Sequence, residues 1–155
     1  MRNLTELNIN EGGRLVSRIP PSDLQIRDFE RQYNVKLPFL YLSLLSYANG
    51  GHPQLDSIEV TSTVGKSRWS VNYFFYLNDD KDGTMSLWYA MNTWCKIIGK
   101  GSLPIANDGG GNVFFIDNTT DAVKVCIHDT KFALRDIASS LEEFIDRLSV
   151  DPDFI

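Results

Sequence analysis

The chain has 155 residues, 43% apolar and 12% aromatic, enough to bury the core of one ordinary domain. Its 15 basic and 20 acidic residues give a net charge of −5, which repels phosphate backbones, argues against a nucleic-acid partner and favours a basic protein. Cys95 and Cys126 form no CxxC pair, and we find no signal peptide and no apolar run near the roughly 20 residues that span a bilayer. We therefore expect a reduced, cytoplasmic protein without a membrane segment, although mild acidity alone also serves solubility.

The first predicted helix follows an irregular arm or short edge strand over residues 1–19. Ser22 and Gln25 form a capping box, in which each side chain satisfies a free backbone N–H of the other residue. Ile26, Phe29 and Tyr33 follow at helical spacing. The sequence therefore predicts an amphipathic helix of about three turns.

A second helix is predicted from Phe39 to Tyr47, because Pro38 suits the start of a helix. This segment is apolar nearly all round, which predicts a largely buried helix. Asn49-Gly50-Gly51 supplies residues that adopt left-handed conformations, so we expect it to end the helix.

The remaining chain mixes strands with two further helices. Strands are predicted around Ile58 and Val60, over Ser70–Tyr76, and in a hairpin formed by Val113–Asp117 and Ala122–His128. Ser86–Ile98 has spacing that suits a helix, with a strand as the alternative. A second capping box at Ser140–Glu143 predicts a closing helix. Helices, then strands, then a helix indicate one α+β domain over residues 1–155, with a central, largely antiparallel sheet flanked by helices.

The polar turn from Asn78 to Gly83 resembles the first half of a calcium-binding EF-hand loop, with Asp80 and Asp82 at alternate positions. The twelfth position, which must supply a bidentate glutamate, is Tyr89. We therefore interpret this segment as an acidic surface turn and predict no metal site.

The segment Asn107–Asn112 contains three consecutive glycines whose backbone N–H groups could hold a phosphate. It lacks the lysine of such loops and is followed by a strand. The glycines are better explained by the positive φ angles of a tight, bulged turn, and we predict no cofactor.

The two histidines, His52 and His128, are the candidate general bases of a hydrolase, with Asp129 adjoining His128 and Asp108 or Asp117 as carboxylates that approach it in space. No serine elbow or paired metal ligands accompany them. The sequence therefore predicts no catalytic residues, and an unrecognised hydrolase is the weakest alternative.

Aromatic residues concentrate in the middle of the chain, and in an alternating strand Tyr73 and Phe75 face opposite to Phe74 and Tyr76. One of these pairs is expected to lie on a partly exposed face. Aromatic residues beside acidic ones are common in binding hot spots. The predicted partner-binding residues are Trp69, Tyr73, Asp79, Asp80 and Asp82, and the alternative surface is the closing helix near Glu142 and Asp146.

Three segments together resemble the SUKH superfamily, and they span residues 20–150 in the family's order. They are Leu37-Pro38 with Tyr41, Leu44-Leu45 and Asn49-Gly50-Gly51; Pro104–Asn112 running into Phe114, Ile116 and Asp117; and Ile137–Ile145. The resemblance implies an α+β fold with a largely antiparallel sheet between helices, and it carries over no catalytic residue.

The resemblance also implies a function. Bacterial members of the superfamily mostly act as immunity proteins, which bind and neutralise the toxin domains of polymorphic or contact-dependent toxin systems, many of them nucleases. Some fungal relatives regulate cell-wall synthesis through protein contacts. The expected partner is a cognate, basic toxin bound stoichiometrically, and the alternative is a regulatory scaffold domain without a toxin.

Overall fold

A five-stranded antiparallel sheet forms the centre of the structure, a computed structural model that describes residues 1–154. In chain order the elements are a 3-10 helix (Leu4–Leu7), β1 (Asn10–Glu11), β2 (Arg14–Leu15), α1 (Asp23–Tyr33), α2 (Phe39–Tyr47), β3 (Ser57–Ser62), β4 (Gly65–Ser70), β5 (Tyr73–Phe74), α3 (Leu87–Ile98), β6 (Leu103–Asn107), β7 (Val113–Ile116), β8 (Val123–Ile127), β9 (Ala133–Ala138), α4 (Leu141–Arg147) and a 3-10 turn (Pro152–Phe154). The α+β prediction is confirmed. The central sheet has the strand order β5-β6-β7-β8-β9, while β1 pairs with β2 and β3 with β4 in separate two-stranded hairpins.

The core lies around the central strand β7, whose four residues are all buried. Strands composed entirely of apolar residues are typical of sheets that are covered on both faces. Phe114 of β7 packs on Phe144 of α4 with ring centroids 5.7 Å apart, while α3 packs along β6. The helices therefore flank the sheet as expected.

The helices begin where the sequence predicts. Ser22 accepts a hydrogen bond from the Gln25 N–H, and the Gln25 side chain accepts one from the Ser22 N–H, so the first capping box is confirmed. Ser86–Ile98 contains helix α3, not a strand. None of the helices in residues 1–154 is long and apolar enough to cross a bilayer.

Helix α2 is less buried than its composition predicts, because Phe39 is 86% exposed while Tyr41, Leu44 and Leu45 are buried. The helix ends at Tyr47, and Ala48 is its extended C-cap residue. Gly50 and Gly51 adopt positive φ angles, as expected. Asn49 does not, so the prediction of a left-handed conformation for Asn49 is wrong.

Other local predictions also need correction. Only Tyr73–Phe74 of the run Ser70–Tyr76 pairs in the central sheet, and Phe75 and Tyr76 are buried as well as Phe74, so strict alternation fails there. At the start of α4, the Ser140 hydroxyl accepts a hydrogen bond from the Glu143 N–H, as expected. The Glu143 carboxylate, however, accepts a hydrogen bond from the Ser139 N–H and not from the Ser140 N–H, so the second capping box is incomplete.

Candidate functional site: an acidic turn and the network behind it

The acidic turn between β5 and α3 is held by its own side chains. Asn78 Oδ1 accepts a hydrogen bond from the Asp80 N–H at 2.8 Å, and Asp80 Oδ1 accepts from the N–H groups of Asp82 and Gly83 at 3.1 Å each. Asp79 and Asp82 are exposed, and in the described chain their carboxylates make no hydrogen bond or ion pair. Two free carboxylates are thus presented on a fixed turn.

A network behind the turn connects Asp80 to Tyr73. Tyr76 donates a hydrogen bond to Asp80 Oδ2 at 2.7 Å, and the Arg18 guanidinium lies 4.4 Å from the centroid of the Tyr76 ring. Arg18 forms an ion pair with Glu11, which accepts a hydrogen bond from the Tyr73 hydroxyl at 2.7 Å. A cation over an aromatic face adds attraction to this chain of contacts. The acidic turn and this network therefore contain four of the five predicted partner-binding residues, namely Tyr73, Asp79, Asp80 and Asp82.

The network also fixes the charges of its members. The Tyr76 hydrogen bond, followed by the two backbone N–H groups, lowers the pKa of Asp80. Burial, with the hydrogen bond to Asp80, raises the pKa of Tyr76 to about 12, and burial with the hydrogen bond to Glu11 does the same for Tyr73. Stabilisation of the carboxylate form and desolvation of the phenolate explain these directions. The Asp80 carboxylate therefore stays ionised and both phenols stay neutral at physiological pH.

A small cleft of about 470 Å³ runs beside the turn and is lined by Asp79, Asp80, Arg18 and Ile19, among others. Ile19 is 84% exposed, so an apolar side chain stands next to the acidic group. The sequence does not reveal Glu11, Arg18 and Ile19 as part of this region, because the first 19 residues carry no periodic pattern and reach the turn only through long-range contacts.

Trp69 lies apart from the acidic turn. It is half-buried in β4 and lines a larger space of about 1240 Å³ between the β3–β4 hairpin and strands β8 and β9, which we call the hairpin groove. The residues that line the hairpin groove and those that line the small cleft do not overlap. The structure therefore assigns Trp69 and the four other predicted residues to two different surfaces.

Calcium is expected to leave the melting temperature of the protein unchanged at physiological concentrations. The Asp80 carboxylate already accepts three hydrogen bonds within its own segment, and Tyr89 stands where the closing glutamate is needed. Thermal unfolding with calcium or with chelator checks this prediction. A saturable, calcium-dependent rise in melting temperature would restore the EF-hand interpretation.

The glycine turn joins β6 to β7 and is organised by side chains. Asp108 Oδ1 accepts hydrogen bonds from the N–H groups of Gly110 and Asn112 at 2.8 and 3.0 Å, and Asn107 Oδ1 accepts from Gly109 at 3.2 Å. The N–H groups of Gly109, Gly110 and Asn112 are therefore already engaged and are not free to hold an anion. Gly109 and Gly111 have positive φ angles and Gly110 does not, which supports the tight-turn interpretation for two of the three glycines.

Gly111→Ala is expected to lower the free energy of unfolding by about 1–2 kcal/mol, because a residue with a Cβ atom is strained at positive φ. Its Cβ would also lie 2.9 Å from His128 Cε1. Gly110→Ala is the matched control, since its Cβ would meet only ordinary contacts, the nearest at 3.5 Å. Urea unfolding measures both variants. Equal stabilities for the two would contradict the assignment.

The structure does not place Asp108 or Asp117 against His128, as the hypothesised hydrolase site requires. His128 Nδ1 lies 2.9 Å from Asn112 Oδ1, and the Asn112 amide in turn donates to Asp108 Oδ2 at 2.7 Å, so Asn112 separates the histidine from this carboxylate. Asp117 instead forms an ion pair with Lys124 at 2.7 Å, which holds its pKa at about 2. His52 contacts the Asn72 carbonyl oxygen, on another part of the chain.

The comparison with known families agrees with these observations. The model of the SMI1 / KNR4 family (SUKH-1) matches residues 20–147, a range that includes the helix from Phe39 to Tyr47, the glycine turn and α4. No individual curated protein matches the chain. Membership in this family supports a role in protein interaction, as an immunity or regulatory protein. The chain belongs to the SMI1 / KNR4 family (SUKH-1).

Proposed function

We propose that this protein is a cytoplasmic immunity protein that binds a cognate bacterial toxin domain and neutralises it stoichiometrically. The observation that carries this proposal is the acidic turn, where Asp79 and Asp82 present free carboxylates on a segment fixed by Asp80, Tyr76 and Arg18. Family membership supports a protein partner in general, and the turn supplies the chemistry that selects a basic one.

Inhibition follows from charge and occupancy. A nuclease toxin binds an acidic polymer, so its substrate cleft is basic. A rigid acidic surface attracts such a cleft, raises the association rate and excludes the substrate once bound. No chemical step is needed, and one inhibitor molecule silences one toxin molecule.

The residues of the site have different proposed roles. Asp79 and Asp82 steer the partner, because they are exposed and unpaired. Asp80 shapes the turn, since its oxygens accept hydrogen bonds within it. Tyr73 is half-buried with its hydroxyl on Glu11, which leaves part of the ring as an apolar contact at the rim. The rigid turn limits the entropy lost on binding.

Co-expression tests the proposal. The product of the adjacent upstream gene is expressed in a sensitive cell with the wild-type protein, with an empty vector, or with the Asp79→Lys/Asp82→Lys variant. We expect growth only with the wild-type protein and partial loss of protection with the variant. No protection by the wild-type protein, together with no binding of that product, would favour the regulatory scaffold instead.

A further inference from the structure

The free edge of strand β3 faces the hairpin groove. Ser57 exchanges two backbone hydrogen bonds with Ser149, at 2.9 and 2.8 Å, on the side of β3 that faces away from β4. Backbone groups alternate in direction along a strand, so the N–H and C=O groups of Glu59 and Thr61 point to the same side. The carbonyl oxygen of Glu59 accepts a hydrogen bond from Arg147 there. Thr61, further along and exposed, keeps its backbone groups available.

The second edge belongs to β9, which pairs with β8 on one side only. At its end the Ile137 carbonyl oxygen accepts a hydrogen bond from Arg147 at 3.4 Å. One guanidinium therefore joins the edges of two separate sheets and closes one end of the hairpin groove. From this end the groove runs to the hairpin tip, where Val64 is 89% exposed. Unpaired strand edges are templates for a further strand.

The lining of the hairpin groove differs in charge from the rest of the protein. Four basic and two acidic side chains line it, in a chain whose net charge is −5. Lys66 pairs with Glu59, Lys124 with Asp117, and Arg147 with Glu143. Arg135 has no ion pair within residues 1–154. The Arg135 guanidinium is thus the cation of the groove lining that has no carboxylate partner among the described residues.

The apolar part of the lining comes from side chains that are only partly covered. Val60 and Trp69 of the hairpin and Ile127 of β8 pack against the core but remain half-buried. Side chains of one strand alternate between its two faces, so a chain lying along β3 could direct apolar side chains to this surface and polar ones to solvent or to Arg135.

We propose that the hairpin groove binds an extended, acidic segment of another protein by strand addition. The segment pairs with the free backbone groups of β3 at Thr61, places a carboxylate against Arg135 and packs an apolar side chain on Trp69. Main-chain pairing supplies affinity and the side-chain contacts supply selectivity. This inference is independent of the inhibitory role, because the hairpin groove and the small cleft beside the acidic turn share no residue.

Selection from a phage-displayed library of random heptapeptides on the intact protein tests the inference without a known partner. We expect enrichment of peptides that combine Asp or Glu with β-branched residues. Arg135→Glu should weaken an enriched synthetic peptide about tenfold, since an attraction becomes a repulsion. Arg31→Glu, an exposed residue on α1, makes the same change in charge and should leave its affinity within about twofold.

Two further readouts locate the peptide. Thr61→Pro removes the N–H that faces the groove at a free edge, where proline is tolerated, and should weaken the peptide. In the wild-type protein, bound peptide should slow hydrogen exchange of the Thr61 amide. Asp79→Lys/Asp82→Lys should leave the affinity unchanged, which separates this site from the acidic turn. Failure to enrich acidic peptides, or enriched peptides that bind Arg135→Glu and wild-type protein equally, would overturn the proposal.

Discussion

Asn49→Ala is expected to lower the free energy of unfolding by about 3–5 kcal/mol, because it leaves both buried backbone groups of Leu77 and the partly buried carbonyl oxygen of Ile19 without their partner. The Asn49 side chain is 1% exposed. Its amide donates to the carbonyl oxygens of Ile19 and Leu77 at 2.9 and 2.8 Å, and its oxygen accepts from the Leu77 N–H at 2.8 Å. One side chain thus joins the N-terminal arm to the residue that precedes the acidic turn.

Urea unfolding compares this variant with Asn49→Asp and Asn92→Ala. The aspartate keeps the acceptor for Leu77 but cannot donate to either carbonyl oxygen while ionised, so a loss at least as large is expected. Asn92 is exposed on α3 and its side chain accepts one hydrogen bond, from the Tyr33 hydroxyl, so its replacement should change stability by about 1 kcal/mol or less. A loss below 1 kcal/mol for Asn49→Ala would show that these hydrogen bonds do not hold the arm and the turn together.

Asp79→Lys/Asp82→Lys is expected to slow association with the toxin about tenfold or more at low ionic strength, and to reduce the dependence of the rate on salt. The fold should be unaffected, because both side chains are exposed and unpaired. Asp80 is unsuitable for this test, since its replacement also removes the hydrogen bonds from Tyr76, Asp82 and Gly83. Surface-plasmon kinetics at two salt concentrations measures the effect.

A matched control separates local charge from net charge. Asp28→Lys/Asp129→Lys changes the net charge by the same amount at two exposed positions outside the turn. This control variant should alter the association rate much less. Equal association rates for wild-type protein and the Asp79/Asp82 variant would eliminate the acidic turn. A slower rate for Glu142→Lys would then favour the closing helix.

Local signals in the sequence were sufficient where short-range contacts decide the structure. The capping box at Ser22 and Gln25 set the start of α1, and the spacing from Leu87 to Met91 and Cys95 identified α3. Both depend on groups within one or two helical turns of each other. The acidic turn was found for the same reason, because its hydrogen bonds connect Asn78, Asp80 and Asp82.

Long-range pairing decided the features that the sequence did not reveal. Strands β4 and β9 lie at sheet edges and are largely exposed, so they lack the apolar alternation that identifies a strand. Asn49 was expected to end a helix, whereas its partners lie 28 and 30 positions away. Trp69 and Tyr73 are close in sequence, but the chain leaves the hairpin between them and enters the central sheet.

Titration of the purified toxin's activity with this protein tests stoichiometric neutralisation most directly. At toxin concentrations well above the dissociation constant, we expect activity to fall linearly and to reach zero at one equivalent. The inhibited mixture should contain a single complex with equal amounts of both chains. Full toxin activity at a large excess of this protein, or complete inhibition far below one equivalent, would contradict inhibition by stoichiometric binding.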